Sequence, residues 1–291
     1  MKARQTWAAT ITIAALIGFT DPGNAEEQPR DIVIGERVSI FSETLGEKRT
    51  LLIGKPDGYD ESTERFPVLF VLDGDSHFHH ATALTTSLAS IQAIPPMLVV
   101  GIENTVRIRD MTPPAEDPQM ALLEPEHGGS ANFRSFIADE LIPWLDENYR
   151  THSFRILVGH SLGGLFAIDS LLEDSQLFAA YIAISPSLHW DEGRIAERAH
   201  TRLGTALDSN AILFMTAGNE GGPLLSSVRN FAAVMDIHAP EGLAWRFDHM
   251  PAESHGSVPL RSIHNGLEFV FARWNLQDPI QIYGDLGWEA I

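Results

Sequence analysis

The chain of 291 residues contains no cysteine. A disulfide scaffold, a thiolate nucleophile and a Cys-ligated zinc site are therefore excluded. Cations are scarce as well: 20 Lys and Arg stand against 39 Asp and Glu, for a formal net charge of −19. Such a surface repels phosphate backbones and anionic membranes because it has little to exchange for their counterions, so nucleic-acid binding is not expected. Internal repeats and low-complexity tracts are missing too. The longest mostly apolar stretch, Trp7 to Phe19, has thirteen residues. A helix of that length cannot cross the roughly 30 Å of a bilayer core.

That stretch follows the cations Lys2 and Arg4 and precedes the small residues Gly23-Asn24-Ala25. The order is that of a secretory signal, with processing expected before Glu26. The expected organisation is a signal over residues 1–25 and one α/β domain over 26–291, in a periplasmic or secreted protein with no membrane span after signal removal. Losing Lys2, Arg4 and Asp21 moves the charge from −19 to −20. Without disulfides the mature chain must hold its shape by its core, and a chain this long, 44% hydrophobic, can do so.

What is present centres on residues 156–168. Ile156-Leu157-Val158 reads as a buried strand, runs directly into Gly159-His160-Ser161-Leu162-Gly163, and is followed by a helical pattern. Strand, G-x-S-x-G and helix in immediate succession form the context of a nucleophile elbow, where the turn is so tight that glycines must flank the serine. Ser161 would then sit at the mouth of a helix, whose free N–H groups favour negative charge.

Elsewhere, Arg37 to Phe41 and Arg49 to Ile53 alternate as an antiparallel pair at a sheet edge. Continuous apolar runs at Pro67 to Leu72, Pro96 to Ile102, Phe178 to Ile184 and Ala211 to Thr216 predict central strands, with a shorter one at Ala244 to Phe247. Helices are expected at Ser76 to Ala93, at Asn132 to Tyr149 with a bend at Pro143, at Pro223 to Met235 and at Val258 to Trp274. Residues 104–129, rich in proline and without periodicity, read as a long loop or small lid. The alternation specifies an α/β fold with a mostly parallel sheet covered on both faces, its function gathered at the carboxyl ends of the strands.

A serine hydroxyl needs an imidazole to take its proton and an acid to orient that imidazole. In the α/β-hydrolase arrangement the chain order is Ser, acid, His. His255, in the polar loop between the last strand and the last helix, is the candidate base; His249 and His264 fall in or beside regular elements. Glu220, in the glycine-flanked loop after the Ala211 to Thr216 strand, is the candidate acid. Glu253, Asp236 and Asp248 are rivals, and a Ser–His pair without an acid is a further option. Oxyanion donors are expected from the backbone of Leu162 and of Asp75, with Gly74 the alternative. Asp73, Asp75, His77, His79 and His80 carry ligand atoms, but their spacing fits no zinc pattern, and no metal is expected. Arg107 and Arg109 would either bind an anionic substrate or pin the loop through carboxylates. Trp190 would either wall the substrate pocket or pack as part of the lid.

With these residues in place the chain resembles the esterase branch of the α/β-hydrolase superfamily that contains salmochelin and enterochelin esterases. The matching blocks are Val71-Leu72-Asp73-Gly74-Asp75, Val100 to Asn104 with Arg107 to Asp110, Gly159 to Gly164, Ile184-Ser185-Pro186-Ser187, and His255 with Gly266 to Phe269, spanning roughly residues 35–275. The resemblance implies hydrolysis of a small-molecule ester through a serine acyl-enzyme, with no metal or organic cofactor. A more distant resemblance to mycolyltransferases implies a Glu as triad acid and leaves open acyl transfer to a sugar or lipid alcohol. A non-catalytic binding module on the same fold is the third reading. Siderophore esterases handle strongly anionic ferric catecholates, whereas this chain is acidic overall.

Overall fold

In a computed structural model, residues 31–203, 210–272 and 274 are described. The expected signal, residues 1–25, lies outside them.

Eight strands form a single sheet in the order β1-β2-β4-β3-β5-β6-β7-β8. The edge pair is β1 (Glu36–Ser42) and β2 (Glu47–Gly54), antiparallel as their alternation predicts. β2 also pairs antiparallel with β4 (Leu98–Ile102), and β4 runs parallel to β3 (Phe66–Val71). From β3 onward the sheet is parallel through β5 (Thr151–His160), β6 (Ala180–Ile184), β7 (Ile212–Ala217) and β8 (Ala244–His249). The five residues of β4 and of β6 are all buried, because helices cover both faces. Strand side chains alternate between the two cores: Val68 and Phe70 point into one, Leu69 and Val71 into the other.

One face carries α1 (Gly74–Ser90) and α9 (Val258–Val270). The other carries α4 (Ser130–Ser135), α5 (Ile142–Asn148), α6 (Leu162–Glu173), α7 (Arg194–Leu203) and α8 (Gly222–His238). The chain leaves β3 to form β4 on one side and returns to form β5 on the other. This makes the β3/β5 boundary a topological switch point, where the carboxyl ends open a crevice. Ser161 follows β5 and Asp73 follows β3, so both stand at that crevice.

Three expectations need correction. Residues 104–129 are not an unstructured loop but contain α2 (Arg107–Met111) and α3 (Pro118–Leu123); Asp117 caps α3 by accepting from the Gln119 N–H, with Pro118 in the first turn. The helix read over 132–149 is interrupted by a π-turn at Phe136–Leu141 ahead of Pro143. Proline offers no N–H to the carbonyl a turn earlier, and the widened turn accommodates it. Finally, α7 is not anticipated; its buried stripe is only Ile195, Ala199 and Leu203.

Buried Asp169 on α6 ties this helical layer together. It accepts from Ser130 Oγ at 3.1 Å and Arg134 Nη1 at 3.0 Å, both on α4, and from Arg198 Nη2 at 2.7 Å on α7.

Candidate active site

Ser161 has φ 60° and ψ −113°, a sparsely populated conformation for a residue with a side chain. Its surroundings hold it there. A side chain at Gly159 would come within 2.1 Å of the Gly163 carbonyl oxygen, so only glycine admits the close approach of strand to helix. The Ser161 N–H donates to the Ile184 carbonyl at 2.9 Å, and its carbonyl accepts from the Ser187 N–H at 3.0 Å. Its hydroxyl lies 3.2 Å from the Ser187 hydroxyl. Ser187, singled out in the sequence only as part of a matching block, is thus the direct neighbour of the candidate nucleophile. Leu162 opens α6, and first-turn N–H groups have no partner within their own helix.

Beyond β7, the loop to α8 is fastened twice at its start. The Gly218 N–H donates to Ser185 Oγ at 3.1 Å, and the Asn219 N–H to the Glu253 carbonyl at 2.6 Å. This delivers the buried Glu220 to His255: Oε1 and Nδ1 are 2.7 Å apart. A carboxylate only accepts, so Nδ1 carries the hydrogen and Nε2 presents a lone pair. The rival acids are engaged elsewhere or remote. Glu253 accepts from Ser257 Oγ at 2.8 Å and pairs with Arg261 at 3.1 Å. Asp248 pairs with Arg246 at 2.7 Å, and Asp236 is exposed on α8. The His255 ring lies 4.5 Å, centroid to centroid, from the ring of His160, the residue just before Ser161.

At the end of β3 the backbone turns through Asp73 at φ 53°, and the Asp73 carbonyl accepts from the N–H groups of Ser76 and His77. The N–H groups of Gly74 and Asp75 precede these at the start of α1. A side chain on Gly74 would lie 2.7 Å from the Gly101 backbone of β4, so this junction also requires glycine. The Asp73 carboxylate is buried and receives Arg107 twice, Nε at 2.5 Å and Nη2 at 2.9 Å, together with Asn104 Nδ2 at 2.7 Å. Burial pushes its pKa up, but the Arg107 bonds and charge and the Asn104 bond outweigh it and hold the carboxyl below its ordinary value.

Arg107 also donates to the His160 carbonyl at 3.1 Å. It therefore links the end of β3 to the end of β5. Arg109 donates to Glu47 at 2.6 Å and to Asp110 at 2.7 Å, and Arg109 is the chief cause of the Glu47 carboxyl falling to about 2. Both arginines tie the 104–129 segment to carboxylates of neighbouring elements, Arg107 to Asp73 and Arg109 to Glu47. Trp190 is buried and donates from Nε1 to the Pro113 carbonyl at 3.2 Å, so it packs under that segment.

Four imidazoles make a contiguous row. His80 and His77 have centroids 5.1 Å apart, His77 and His160 5.6 Å, and His160 and His255 4.5 Å. Burial, with the neighbouring His255 and His77, pushes His160 down to about 3; burial, with His77, pushes His80 down to about 4. Among the described residues no group of three or more His, Asp or Glu is arranged to hold a metal ion, and no helix is long and apolar enough to cross a membrane.

A family model described as "Putative esterase" matches residues 42–218. The chain is 27% identical over 274 residues to the ferri-bacillibactin esterase BesA of Bacillus subtilis (strain 168), an alignment covering 86% of this chain and 94% of that one. A solved IroE-like serine hydrolase from Shewanella oneidensis superposes with a TM-score of 0.76 at 31% identity, covering 86% of both chains. The siderophore hydrolase EstB from Aspergillus nidulans shares the fold, with a TM-score of 0.72 at 23% identity, covering 86% of this chain and 99% of that one.

Proposed function

Because the chain belongs to this esterase family and is an ester hydrolase of α/β-hydrolase fold, we propose that it is an exported serine esterase working through an acyl-enzyme on Ser161. The observation that carries the reading is the row Glu220–His255–His160 ending beside Ser161: a buried carboxylate fixes the tautomer of an imidazole that packs on the residue next to the nucleophile.

In this mechanism His255 Nε2 takes the proton of Ser161 as Oγ bonds to the ester carbonyl carbon. The oxyanion is held by the N–H of Leu162 and that of Asp75 or Gly74, at the two helix mouths. Collapse breaks the bond to the alcohol, which leaves with the proton from His255. Water, deprotonated by the same imidazole, then releases the acid and restores Ser161. Glu220 stays ionised and stabilises the imidazolium in both halves.

Relatives named as siderophore esterases support a siderophore-like ester as substrate. The signal-like order of cations, apolar stretch and small residues over 1–25 supports export. A fluorophosphonate probe tests the chemistry: it is expected to label the wild type and not Ser161→Ala, and undiminished ester turnover in that variant would end the reading. Export is tested by the amino terminus of the mature protein, expected at Glu26; a protein retained in the cytoplasm with residues 1–25 intact would refute it.

A further inference from the structure

A cavity of about 260 Å³ lies between the segment Leu188–Gly193 and the first two turns of α8, lined by Leu188, His189, Glu192, Pro223, Ser227 and Asn230 among others. Both walls come from the candidate active site. Leu188 follows Ser187, whose hydroxyl touches that of Ser161, and α8 begins two residues after Glu220, which holds His255. The cavity is thus walled by the segments that continue from the site, and His189 on its wall lies near enough to His255 to feel its charge.

Its electrostatics are one-sided. Among the described residues Glu192 is the single carboxylate on the wall and no Lys or Arg lines it, and burial, with the neighbouring His255, disfavours a charge on His189. The nearby cations are spoken for. Arg194 pairs with Glu116 and Asp191, each at 3.3 Å, Arg198 with Asp169 and Glu173, and Arg107 with Asp73. Arg229 is on α8 but outside the lining.

Glu192 is also held in place at a conformational cost. Asp191, Glu192 and Gly193 have φ of 48°, 57° and 81°, three left-handed residues in succession. Such a run persists only where contacts over-determine it. Here buried Asp191 supplies them, accepting the Glu116 N–H at 3.0 Å and the Asp117 N–H at 2.9 Å. The backbone that carries Glu192 is thereby held at the cavity rim.

We propose that this cavity is a substrate subsite selecting neutral or cationic polar groups, so that the enzyme takes uncharged or positively charged esters in preference to anionic ones. The proposal rests on the serine-esterase reading and narrows its substrate class to siderophore-like esters whose group at this subsite is neutral or cationic. A carboxylate without a paired cation attracts positive charge, accepts hydrogen bonds from hydroxyl or amide groups, and repels a carboxylate or ionised catecholate.

The test is kcat/KM on two sets of isosteric esters at low and high salt. One set varies the acyl group among trimethylammonium, neutral tert-butyl and carboxylate ends with a common p-nitrophenol; the other varies the alcohol in the same way. In at least one set the cationic ester is expected to exceed the anionic one by about tenfold or more at low salt, with the ratio shrinking as salt rises. Glu192→Gln should bring that ratio toward one, and Glu192→Lys should invert it. Equal or reversed preference in both wild-type sets, or a preference untouched by either variant, overturns the proposal. Labelling of wild-type Ser161 by a neutral fluorophosphonate is read separately: charge preference absent with labelling intact sinks the subsite alone, and absent labelling sinks the reading beneath it.

Discussion

Glu220 Oε1 lies 2.7 Å from His255 Nδ1, although 35 residues separate the two, while Glu253, two residues from His255, turns to Ser257 and Arg261. Nearness in sequence and nearness in space disagree here, and the buried partner is the distant one. Glu220→Gln is expected to lower kcat by about 10²–10⁴-fold with KM little changed, since an amide can stabilise the wrong tautomer. Glu253→Gln should leave kcat near wild type. Steady-state kinetics on one ester decides between them; the reverse pattern would move the acid to Glu253.

Arg107→Met removes both bonds to the buried Asp73 carboxylate and the bridge to the His160 carbonyl. A loss of about 2–4 kcal/mol is expected at pH 7. The pH dependence fixes the cause. Asp73 has a depressed pKa when folded, so its contribution is present above the ordinary carboxylate value and is lost as pH falls through the folded one. In the variant burial is opposed only by the Asn104 bond and the neighbouring His77, so that pKa rises. The gap between variant and wild type should therefore narrow in acid, which urea unfolding at pH 7 and pH 4 measures.

The histidine row makes an opposite kind of demand. His160 and His80, pushed down to about 3 and about 4, stay neutral in the folded protein while their unfolded counterparts take up protons near pH 6.5. The stability they support is whole above about pH 6.5 and drains away as pH falls toward the folded values. His160→Asn should flatten the decline of unfolding free energy between pH 6.5 and 4.5 by up to about 1.4 kcal/mol per pH unit. An unchanged slope would mean that the imidazole takes up its proton in the folded state.

Asp191→Ala leaves the Glu116 and Asp117 N–H groups without their acceptors and places alanine at φ 48°. Faster proteolysis within residues 113–124 is expected, with a loss of about 1–3 kcal/mol. Asn tolerates left-handed backbone and keeps one acceptor oxygen, so Asp191→Asn should fall between. Equal cleavage rates in all three proteins would show that this carboxylate does not hold the segment.

Much of this architecture is legible in the residues. Fully buried strands announce themselves as apolar runs, as at Phe66–Val71, and the strand–glycine–serine–helix succession at 156–168 fixes the elbow because few other contexts require glycine at both flanks. The edge pair is legible because its alternation has a period of two. What escaped has a common cause, which is dependence on partners remote in sequence. The charge of Arg107 says nothing of Asp73, 34 residues earlier, and a proline-rich stretch conceals two short helices, α2 anchored through Arg107 and Arg109 on Asp73 and Glu47 and α3 through Asp191 accepting the Asp117 N–H. α7 buries only three positions because Arg198 and Arg202 spend its other face on carboxylates of α6. The unoccupied charge of the cavity rim is likewise visible only once Glu192 is seen beside α8.

Asp169 couples three helices through one side chain, with α4 on one oxygen and α7 on the other. Letting go of either neighbour strands a buried anion, so neither helix has an inexpensive way to detach alone. In hydrogen–deuterium exchange the amides of α4, α6 and α7 should consequently share one opening free energy, a cooperative block on this side of the sheet against which the surface segments in front of the site can move.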